Sequence, residues 1–450
     1  LSLSNDGDLR FWSSLGGKLK PLWNNLGPIE DLKKLQNGSI LVRSREGTTR
    51  LWSPICEPLG RLDCHSEDTQ QFKELSNERL LSWSEEPFLR IWSLEGKILA
   101  KLQGHSGPVE GADEISKGRI LSWSKDKTIR LWSSTGQALA EFRGHTGSVH
   151  GARELSDDRY LSWSRDEKFL RLWSAVGEQL DTIDTGSGYA CWSTQLSEGR
   201  VLVRCQDESR HLFSSSGLSL AKIQADSGGI HGIVEISEGR LLVWSADIEN
   251  RHNDKGRVEI WSKTGVLLEV LENDRLRRCQ GARQLSDGRL ISWYADGIIK
   301  IWSSHGKLST TWEGHSRTVG WVEELANGQL VSKSGDYTLK LWDSEGEHVG
   351  TLDGHQARIT GFHVLPNSKI LTWSEDQTLR IWDLSKAKPL KAPSNTIPNL
   401  SQCSDKLPVF WSRSGNSLEL WSHKGDLLST LQGHTHPVES VEAISKSKLM

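Results

Sequence analysis

The sequence has little of what several common kinds of functional site require. Its six cysteines lie far apart and none forms a C-x-x-C pair, so structural zinc and thioredoxin-like sites have no support. No apolar run approaches the roughly 20 residues that span a bilayer, and no signal peptide is visible. Lys and Arg number 55 against 58 Asp and Glu, a net charge of -3. That balance argues against a general nucleic-acid or membrane-surface binder, which needs a basic excess.

These absences also set expectations for chemistry and compartment. A chain of 450 residues can bury a core without disulfides, so we expect free, buried thiols and a cytoplasmic protein. We expect no cofactor, no metal and no membrane partner. The chain begins at Leu1 rather than at a methionine, so we expect it to be part of a longer protein.

Tryptophan is abundant, with 21 residues, and one series of it is periodic. The steps are 39 to 41 residues, except for one of 48 before Trp261, and Phe213 fills the one gap in the series. A fixed period of this length indicates one supersecondary unit copied along the chain, each copy burying its apolar face against the next. The eleven positions are Trp12, Trp52, Trp92, Trp132, Trp173, Phe213, Trp261, Trp302, Trp342, Trp382 and Trp421.

Each repeat contains four short strand-like runs. In residues 97–136 the runs are 98–102, 109–115, 119–124 and 128–132, separated by residues rich in Gly, Ser, Asp and Pro. Runs of 5–7 residues bounded by turn signals predict an antiparallel meander, and nothing has helical length with a 3.6-residue period. The sequence therefore predicts an all-β fold, a β-propeller of eleven four-stranded antiparallel blades, as one large closed ring or two smaller rings.

The same repeat resembles the WD repeat. The resemblance rests on Gly104-His105, on Ser122 and Asp126 spaced as Ser-x-x-x-Asp, and on Ile-Arg-Leu-Trp-Ser at 129–133. It covers essentially the whole chain, although Trp-Asp itself occurs only at 342–343 and 382–383 and Ser follows the Trp elsewhere. The implied fold is a propeller, and the implied pattern is that of highly regular bacterial arrays.

A Ser, a His and an Asp would lie close together in several blades, which invites comparison with a hydrolase. A nucleophile needs exposure and one pocket with an oxyanion hole, and copies around a ring share no pocket. We therefore predict no enzyme, and we interpret the residues as structural networks of the kind that the resemblance implies. The predicted sets are His105, Ser122, Asp126, Trp132; His145, Ser162, Asp166, Trp173; His315, Ser332, Asp336, Trp342; His355, Thr372, Asp376, Trp382; and His434, Ser2, Asp6, Trp12.

The last set forms only if the two ends of the chain meet. Joined end to end, residues 445–450 and 1–12 follow the pattern of residues 116–132, and the step from Trp421 round to Trp12 is 41 residues. The propeller array would span 1–450, with one blade split between 425–450 and 1–13. The alternative is that a flanking chain supplies the missing halves. The arcs 176–302 and 384–92 depart most from the repeat.

Two further series accompany the repeat. A second set of tryptophans, including Trp123 and Trp163, falls on the opposite strand face, where we expect it to fill the space left by Gly-Ala pairs such as 111–112. Basic residues stand two positions before most of the periodic tryptophans, as at Arg130. We expect them to lie along the blades beside acidic residues rather than to line an anion channel.

The predicted function is that of a non-catalytic protein–protein interaction scaffold or sensor module. It would bind a protein partner or act together with a fused effector domain, as part of a larger multidomain protein. One alternative is a structural subunit of a self-assembling complex, and another is a nucleic-acid-binding propeller. The candidate partner-binding residues lie in loops after Gly-His and in hairpins: Ser106, Lys125, Lys127, Arg165, Arg317, Gln356, Arg358 and His436.

Overall fold

The structure is a computed structural model, and it describes the greater part of the chain. The described residues are 2–4, 9–12, 18–22, 29–44, 48–53, 57–62, 71–186, 189–224, 229–246, 256–271, 278–365, 369–376, 378–384, 388–390, 409–414, 417–422, 427–432 and 438–441. In these ranges no helix exceeds one turn, so none has the length or apolarity to span a bilayer. The chain divides into two compact units, Leu1–Leu220 with His434–Met450, and Ala221–Gly433.

Strands dominate both units. The first strands in chain order are β1 (Ser2–Ser4), β2 (Leu9–Trp12), β3 (Lys18–Leu22), β4 (Ile29–Lys34), β5 (Ile40–Ser44), β6 (Thr49–Trp52), β7 (Pro58–Leu62), β8 (Gln71–Leu75), β9 (Arg79–Trp83), β10 (Phe88–Ser93), β11 (Ile98–Gln103), β12 (Val109–Glu114), β13 (Ile120–Ser124), β14 (Thr128–Trp132), β15 (Ala138–Arg143), β16 (Val149–Glu154), β17 (Tyr160–Ser164), β18 (Phe169–Trp173), β19 (Gln179–Asp184), β20 (Ala190–Gln195), β21 (Val201–Cys205) and β22 (Arg210–Phe213).

The remaining strands are β23 (Ser219–Ile223), β24 (Gly229–Glu235), β25 (Leu241–Ala246), β26 (Gly256–Trp261), β27 (Leu267–Leu271), β28 (Cys279–Gln284), β29 (Leu290–Tyr294), β30 (Ile298–Trp302), β31 (Leu308–Glu313), β32 (Val319–Glu324), β33 (Leu330–Ser334), β34 (Leu339–Trp342), β35 (His348–Leu352), β36 (Ile359–Leu365), β37 (Lys369–Ser374), β38 (Leu379–Asp383), β39 (Lys388–Leu390), β40 (Val409–Ser414), β41 (Ser417–Ser422), β42 (Leu427–Leu431) and β43 (Val438–Val441). Single 3-10 turns occupy Ser116–Gly118, Ser197–Gly199 and Ser237–Gly239.

Consecutive strands pair into small antiparallel sheets, as the repeat predicts. Among the described residues, ten sheets have four strands, and β40–β42 form one of three strands. The segment 391–408, which precedes β40, lies outside the described residues. The sequence-irregular arc 176–302 nevertheless contains complete four-stranded sheets, β20–β23 and β24–β27. The fold is therefore all-β and built from blade-like units.

One sheet is assembled from both ends of the chain. Its strand order is β3-β2-β1-β43, and β1 pairs with β43 through Ser2 with Val441 and Leu3 with Ser440. The backbone of residues 2–4 therefore continues the sheet that 438–441 begin. All four strands belong to the same compact unit.

The sheets are offset by one strand from the repeat as it is most easily recognised in the sequence. The run 98–102, the first of its repeat, lies in β11 and pairs with β10 of the preceding sheet. The periodic Trp132 consequently ends the third strand of its sheet, β14, and β15 completes that sheet. In each sheet we number strands in the direction that starts at β12 or its equivalent, so β43 is the first strand of the split sheet.

The cores lie between neighbouring sheets. Trp132 is buried against the preceding sheet, in one cluster with Leu81 and Trp83. The second-series Trp123 packs on the other face of the same sheet, against the next sheet. The sheet β12–β15 thus presents a tryptophan to both neighbours, which the alternation of side chains along strands predicts.

Gly-Ala pairs in the first strands accommodate the second tryptophan series in two ways. Gly111 pairs with Trp123 across the strands of its own sheet, and a Cβ at Gly111 would lie 2.5 Å from the indole. The neighbouring Ala112 instead packs in one cluster with Trp83 of the preceding sheet. The glycine therefore makes room for the tryptophan of its own sheet and the alanine for that of its neighbour. The same Gly–Trp pairing occurs at Gly151–Trp163, Gly232–Trp244, Gly281–Trp293 and Gly361–Trp373.

A second device, which the sequence reasoning missed, joins neighbouring sheets at the end of the first strand. The Ser116 backbone N–H and hydroxyl donate to the two Glu154 carboxylate oxygens of the next sheet, at 2.7 and 2.6 Å. Charge-assisted bonds of this kind are stronger than neutral ones. The arrangement recurs with Ser76 and Glu114, and with Ser286 and Glu324. A serine and a glutamate 38 residues apart are its sequence signal.

Candidate functional site

Four side chains that the sequence predicts to interact meet in the sheet β12–β15. His105 Nε2 and Trp132 Nε1 each lie 2.8 Å from Ser122 Oγ, and His105 Nδ1 lies 2.9 Å from Asp126 Oδ2. A carboxylate only accepts hydrogen bonds, so the His105 Nδ1–H donates to Asp126. The Ser122 hydroxyl then donates to His105 Nε2 and accepts from the Trp132 N–H. The network ties the loop before β12 to β13 and β14.

Two sheets of the second unit contain the same network. His315 contacts Ser332 and Asp336, and Trp342 donates to the same serine, all at 2.8 Å. In the next sheet Thr372 takes the place of the serine between His355 and Trp382, again at 2.8 Å. The His355 Nδ1 lies 2.9 Å from Asp376 Oδ2.

The prediction for Asp166 is wrong, because the neighbouring Glu167 takes its place. His145 Nδ1 lies 2.9 Å from Glu167 Oε2, while Asp166 is exposed and accepts from the Ser148 N–H at 2.9 Å. The turn between β17 and β18 is one residue longer than the turn between β13 and β14. That extra residue places the second acid, not the first, beneath the histidine. His145, Ser162 and Trp173 otherwise meet as in the other sheets.

The fifth predicted set cannot be assessed at the level of side chains. Asp6 and His434 lie outside the described residues, as does the candidate loop residue His436. For Ser2 and Trp12 the structure describes the strand backbone alone, in β1 and β2. The pairing of β1 with β43 supplies the backbone frame in which such a network would form.

Sequence reasoning missed a threonine two residues after the network aspartate. The backbone N–H and the hydroxyl of Thr128 both donate to Asp126 Oδ1, at 2.9 and 2.6 Å. The other aspartate oxygen accepts from His105 and from the Ser106 N–H. Thr338 and Thr378 repeat the arrangement. The spacing Asp-x-Thr is therefore the signal that distinguishes a network aspartate from an ordinary turn aspartate.

Sheets without Gly-His satisfy the buried tryptophan by other means. In the sheet β28–β31, Ser292 accepts from Trp302 at 2.8 Å and donates to the buried Tyr294 hydroxyl at 3.0 Å. In the sheet β24–β27, the indole of Trp261 donates instead to Glu259, at 2.9 Å. Val243 occupies the cross-strand position where a network serine would stand, opposite Glu259. The glutamate that interrupts the basic series thus replaces the missing hydroxyl acceptor.

In the networks of His145 and His355, burial favours a neutral imidazole beside an ionised carboxylate. Burial lowers the pKa of His145 and of His355. Burial opposes ionisation of Glu167, but hydrogen bonds from Thr146 and His145 outweigh it and lower its pKa to about 2. The pKa of Asp376 is likewise lowered to about 2 by hydrogen bonds against the effect of burial. A proton is thus held on the histidine Nδ1 across a wide pH range.

Burial also decides what the networks can do chemically. The side chains of Ser122, Ser162 and Ser332 have no exposed surface. Each hydroxyl oxygen already accepts from an indole N–H, and no substrate carbonyl can approach it. The arrangement braces the loop that carries the histidine, and a buried group left unpaired there would cost about 1–3 kcal/mol.

The basic series lies beside acidic or polar partners. Arg130 is 3.0 Å from Glu141, and Arg171 is 3.3 Å from Glu167. Lys340 donates to Thr351 at 3.1 Å. Ion pairs thus neutralise Arg130 and Arg171, and Lys340 is hydrogen-bonded within its sheet, which weakens the nucleic-acid alternative.

The loop positions proposed for partner contact lie at the surface. Seven of the eight are exposed: Ser106, Lys125, Lys127, Arg165, Arg317, Gln356 and Arg358. They follow the network histidines or lie in the turns between second and third strands. Lys125 is engaged in ion pairs with Glu85 and Glu110, at 3.2 and 3.4 Å. The networks thus hold in place the backbone from which these exposed side chains project.

One family model matches two segments of the chain. The family described as WD domain, G-beta repeat matches residues 96–133 and 346–383. No curated protein matches the chain. Among solved structures, the computationally designed Ika8 protein is 21% identical, over 72% of this chain and 98% of its own, with a TM-score of 0.37.

Each matched segment covers the first three strands of a sheet that carries the His–Ser/Thr–Asp–Trp network, together with the fourth strand of the preceding sheet. WD repeats are generally non-catalytic scaffolds for protein interactions. The chain thus carries WD repeats at these two positions, and the four-stranded antiparallel sheets of the described residues are consistent with a WD-repeat β-propeller.

Proposed function

We propose that this chain is a non-catalytic interaction scaffold or sensor module that binds a protein partner through the loops after its network histidines. The observation that carries the proposal is the contrast between buried frame and exposed loop. His105 is 6% exposed and fully hydrogen-bonded, whereas the next residue, Ser106, is exposed. A rigid support that presents exposed loops is how scaffolds commonly organise recognition.

We further propose that the chain acts in the cytoplasm as part of a larger multidomain protein, with a fused effector domain. The thiol of Cys279 is free and buried, in keeping with a compartment that keeps cysteines reduced. Burial raises the pKa of Cys279 to about 12, so it has no nucleophilic role at neutral pH.

Site-specific photo-crosslinking tests the binding function. A benzophenone amino acid is placed at Ser106, in a loop, and in a separate variant at Thr135, in the exposed turn between β14 and β15. We expect a discrete partner protein to be crosslinked from position 106 and not from position 135, in lysate of the source cell. Equal yields from the two positions, or none from either, would refute the loop-directed scaffold.

A second candidate function has an observation of its own. The fourth strands carry exposed apolar side chains, such as Leu99 at 54%, Leu139 at 53% and Leu268 at 50%. Edge strands with exposed apolar residues favour pairing with another chain. A self-assembling structural subunit would therefore pack through these strands. Light scattering of the purified chain separates the two functions, because a monomer at all concentrations excludes self-assembly.

A further inference from the structure

In the sheet β32–β35 the usual Gly–Trp pair is inverted. The first-strand position that holds Gly111 or Gly361 in other sheets holds Trp321, and the residue paired with it is Lys333 instead of a tryptophan. Side chains of directly paired residues share one sheet face. The indole of Trp321 is 47% exposed, whereas the tryptophans that cover a glycine are largely buried, as Trp293 is at 6%. The inversion therefore places an aromatic ring and a cation side by side at the surface.

The cation in this pair has no acidic partner among the described residues. Lys333 is half-buried, and its ammonium donates to the carbonyl oxygen of Thr360 on the next sheet, at 3.3 Å. Burial lowers the pKa of Lys333, and so does the positive charge of the nearby Arg358. In the part of the chain that the structure describes, no carboxylate forms an ion pair with Lys333, Arg358 or Arg317. Among the described residues these two like charges therefore have no carboxylate at ion-pair distance, an arrangement that an added anion would relieve.

Two other surface cations, Lys125 and Arg204, are each paired with an acid. Lys125 is paired with Glu85 and Glu110. The sheet β20–β23 contains the same inversion, with Trp192 57% exposed and paired with Arg204. There, however, Arg204 is 2.6 Å from Glu208. What distinguishes the sheet β32–β35 is therefore not the inverted pair but the positive charge of Lys333 and Arg358, which no described carboxylate pairs with.

We propose that Trp321, Lys333 and Arg358 form a docking site for an acidic segment of a partner protein. A carboxylate would bridge Lys333 and Arg358, and the segment would pack on the ring of Trp321. The indole N–H already donates to Glu323 at 3.0 Å, which fixes the ring and leaves its face for contact. This proposal rests on the proposed scaffold function, whose partner it describes by charge.

A protein segment fits the site better than a nucleic acid does. Single-stranded nucleic acids need a basic groove that follows the backbone over several nucleotides, with successive stacking platforms. Here one tryptophan is exposed beside two cations, and the basic series of the strands is engaged with Glu141, Glu167 or Thr351. A single acidic side chain with an apolar neighbour matches the size and charge of this surface.

Binding of a defined probe to the full 450-residue chain tests the proposal. The probe is a fluorescently labelled dodecapeptide of alternating Glu and Ser, followed by anisotropy. We expect the double variant Lys333→Gln with Arg358→Gln to raise Kd at least about 10-fold, because each lost contact is a charge-assisted hydrogen bond. Trp321→Ala should raise Kd about 3-fold, the smaller loss of a packing contact. The matched controls Arg204→Gln and Lys125→Gln should change Kd less than about 2-fold, since both cations are already paired.

Four results would overturn the proposal: no binding of the acidic peptide by the wild type, an unchanged Kd in the double variant, an equal loss in Arg204→Gln, or tighter binding of a dodecathymidine than of the peptide. Circular dichroism checks that each variant is folded. Lys333→Glu provides a second test, because it should make the chain bind a dodecapeptide of alternating Lys and Ser more tightly than the Glu-Ser peptide. Crosslinking from position 106 reports separately on the scaffold function. A partner crosslinked there, with no acidic-peptide binding, would remove this inference and leave the scaffold intact.

Discussion

Replacing Glu167 with glutamine removes a carboxylate that holds five polar groups. Glu167 is 8% exposed and accepts from His145 at 2.9 Å, from the Thr146 N–H, from the Thr146 hydroxyl at 2.5 Å and from the Gly147 N–H at 3.1 Å. It also lies 3.3 Å from Arg171. The amide of glutamine keeps one acceptor oxygen and adds two donors, which would face other donors. The adjacent Asp166→Asn is the matched control, because Asp166 is exposed and holds one backbone N–H.

The structure gives the size of the effect. Leaving a buried donor unpaired costs about 1–3 kcal/mol, and bonds to a charged group stand at the upper end of that range. Since 1.4 kcal/mol is a factor of ten, local opening at Thr146 and Gly147 should become about 5- to 150-fold more frequent in Glu167→Gln. Asp166→Asn should change stability by less than about 0.5 kcal/mol, as exposed substitutions usually do.

Amide hydrogen exchange measures the effect where it arises. In Glu167→Gln we expect lost protection at Thr146 and Gly147 with little change at Ser148, and a lower urea midpoint. In Asp166→Asn we expect faster exchange at Ser148 alone. If Asp166→Asn lowered protection at Thr146 as much as Glu167→Gln does, the assignment of the acid to Glu167 would be refuted.

Three further predictions concern acid stability, glycine packing and the tyrosine variant of the network. The carboxylates of Glu167 and Asp376 have pKa values lowered to about 2 from 4.5 and 3.8, so their contribution to stability is complete above those ordinary values and is lost as the pH falls toward 2. The buried imidazoles of His145 and His355 have pKa values lowered from 6.5, so the unfolded chain takes up protons first and stability begins to fall below about pH 6.5. Circular dichroism should show a decline that begins near pH 6.5 and steepens below pH 4.5, and a stability that stays constant from pH 7 to 3 would contradict this. Gly232→Ala would place a Cβ 2.0 Å from the indole of Trp244, so it should lower the free energy of unfolding by about 1–3 kcal/mol, measured by thermal denaturation. In the control Gly320→Ala the Cβ meets nothing nearer than 3.9 Å, and the same measurement should show no change. Tyr294→Phe removes the hydroxyl that accepts from the buried Ser292, so it should lower the free energy of unfolding in urea by about 1 kcal/mol. An unchanged urea midpoint would show that Ser292 finds another acceptor.

The His–Ser/Thr–Asp–Trp networks were largely predictable, and the exceptions have a common cause. Spacing alone brings His105, Ser122 and Asp126 together, because the number of residues between them is the same as in the other regular repeats. The acid below His145 was predicted one residue too early, since an added turn residue shifts which carboxylate reaches the ring. Such a shift depends on the path of the turn, which spacing does not encode. Tyr294 was missed because it supplies a hydroxyl from the second strand instead of an imidazole from the loop.

The periodic tryptophans by themselves determined the all-β repeat architecture, because a period of about 40 residues with four strand-like runs leaves one kind of unit to build. They also predicted both faces of each sheet, since side chains alternate along a strand. Only the tertiary structure decided which strands share a sheet: hydrogen bonding across neighbours assigns 98–102 to the preceding sheet and joins β1 to β43. It also decided which charges are neutralised. Arg204 and Lys333 occupy the same kind of position in sequence, but a nearby carboxylate reaches the first and not the second, because side-chain reach depends on neighbours in space.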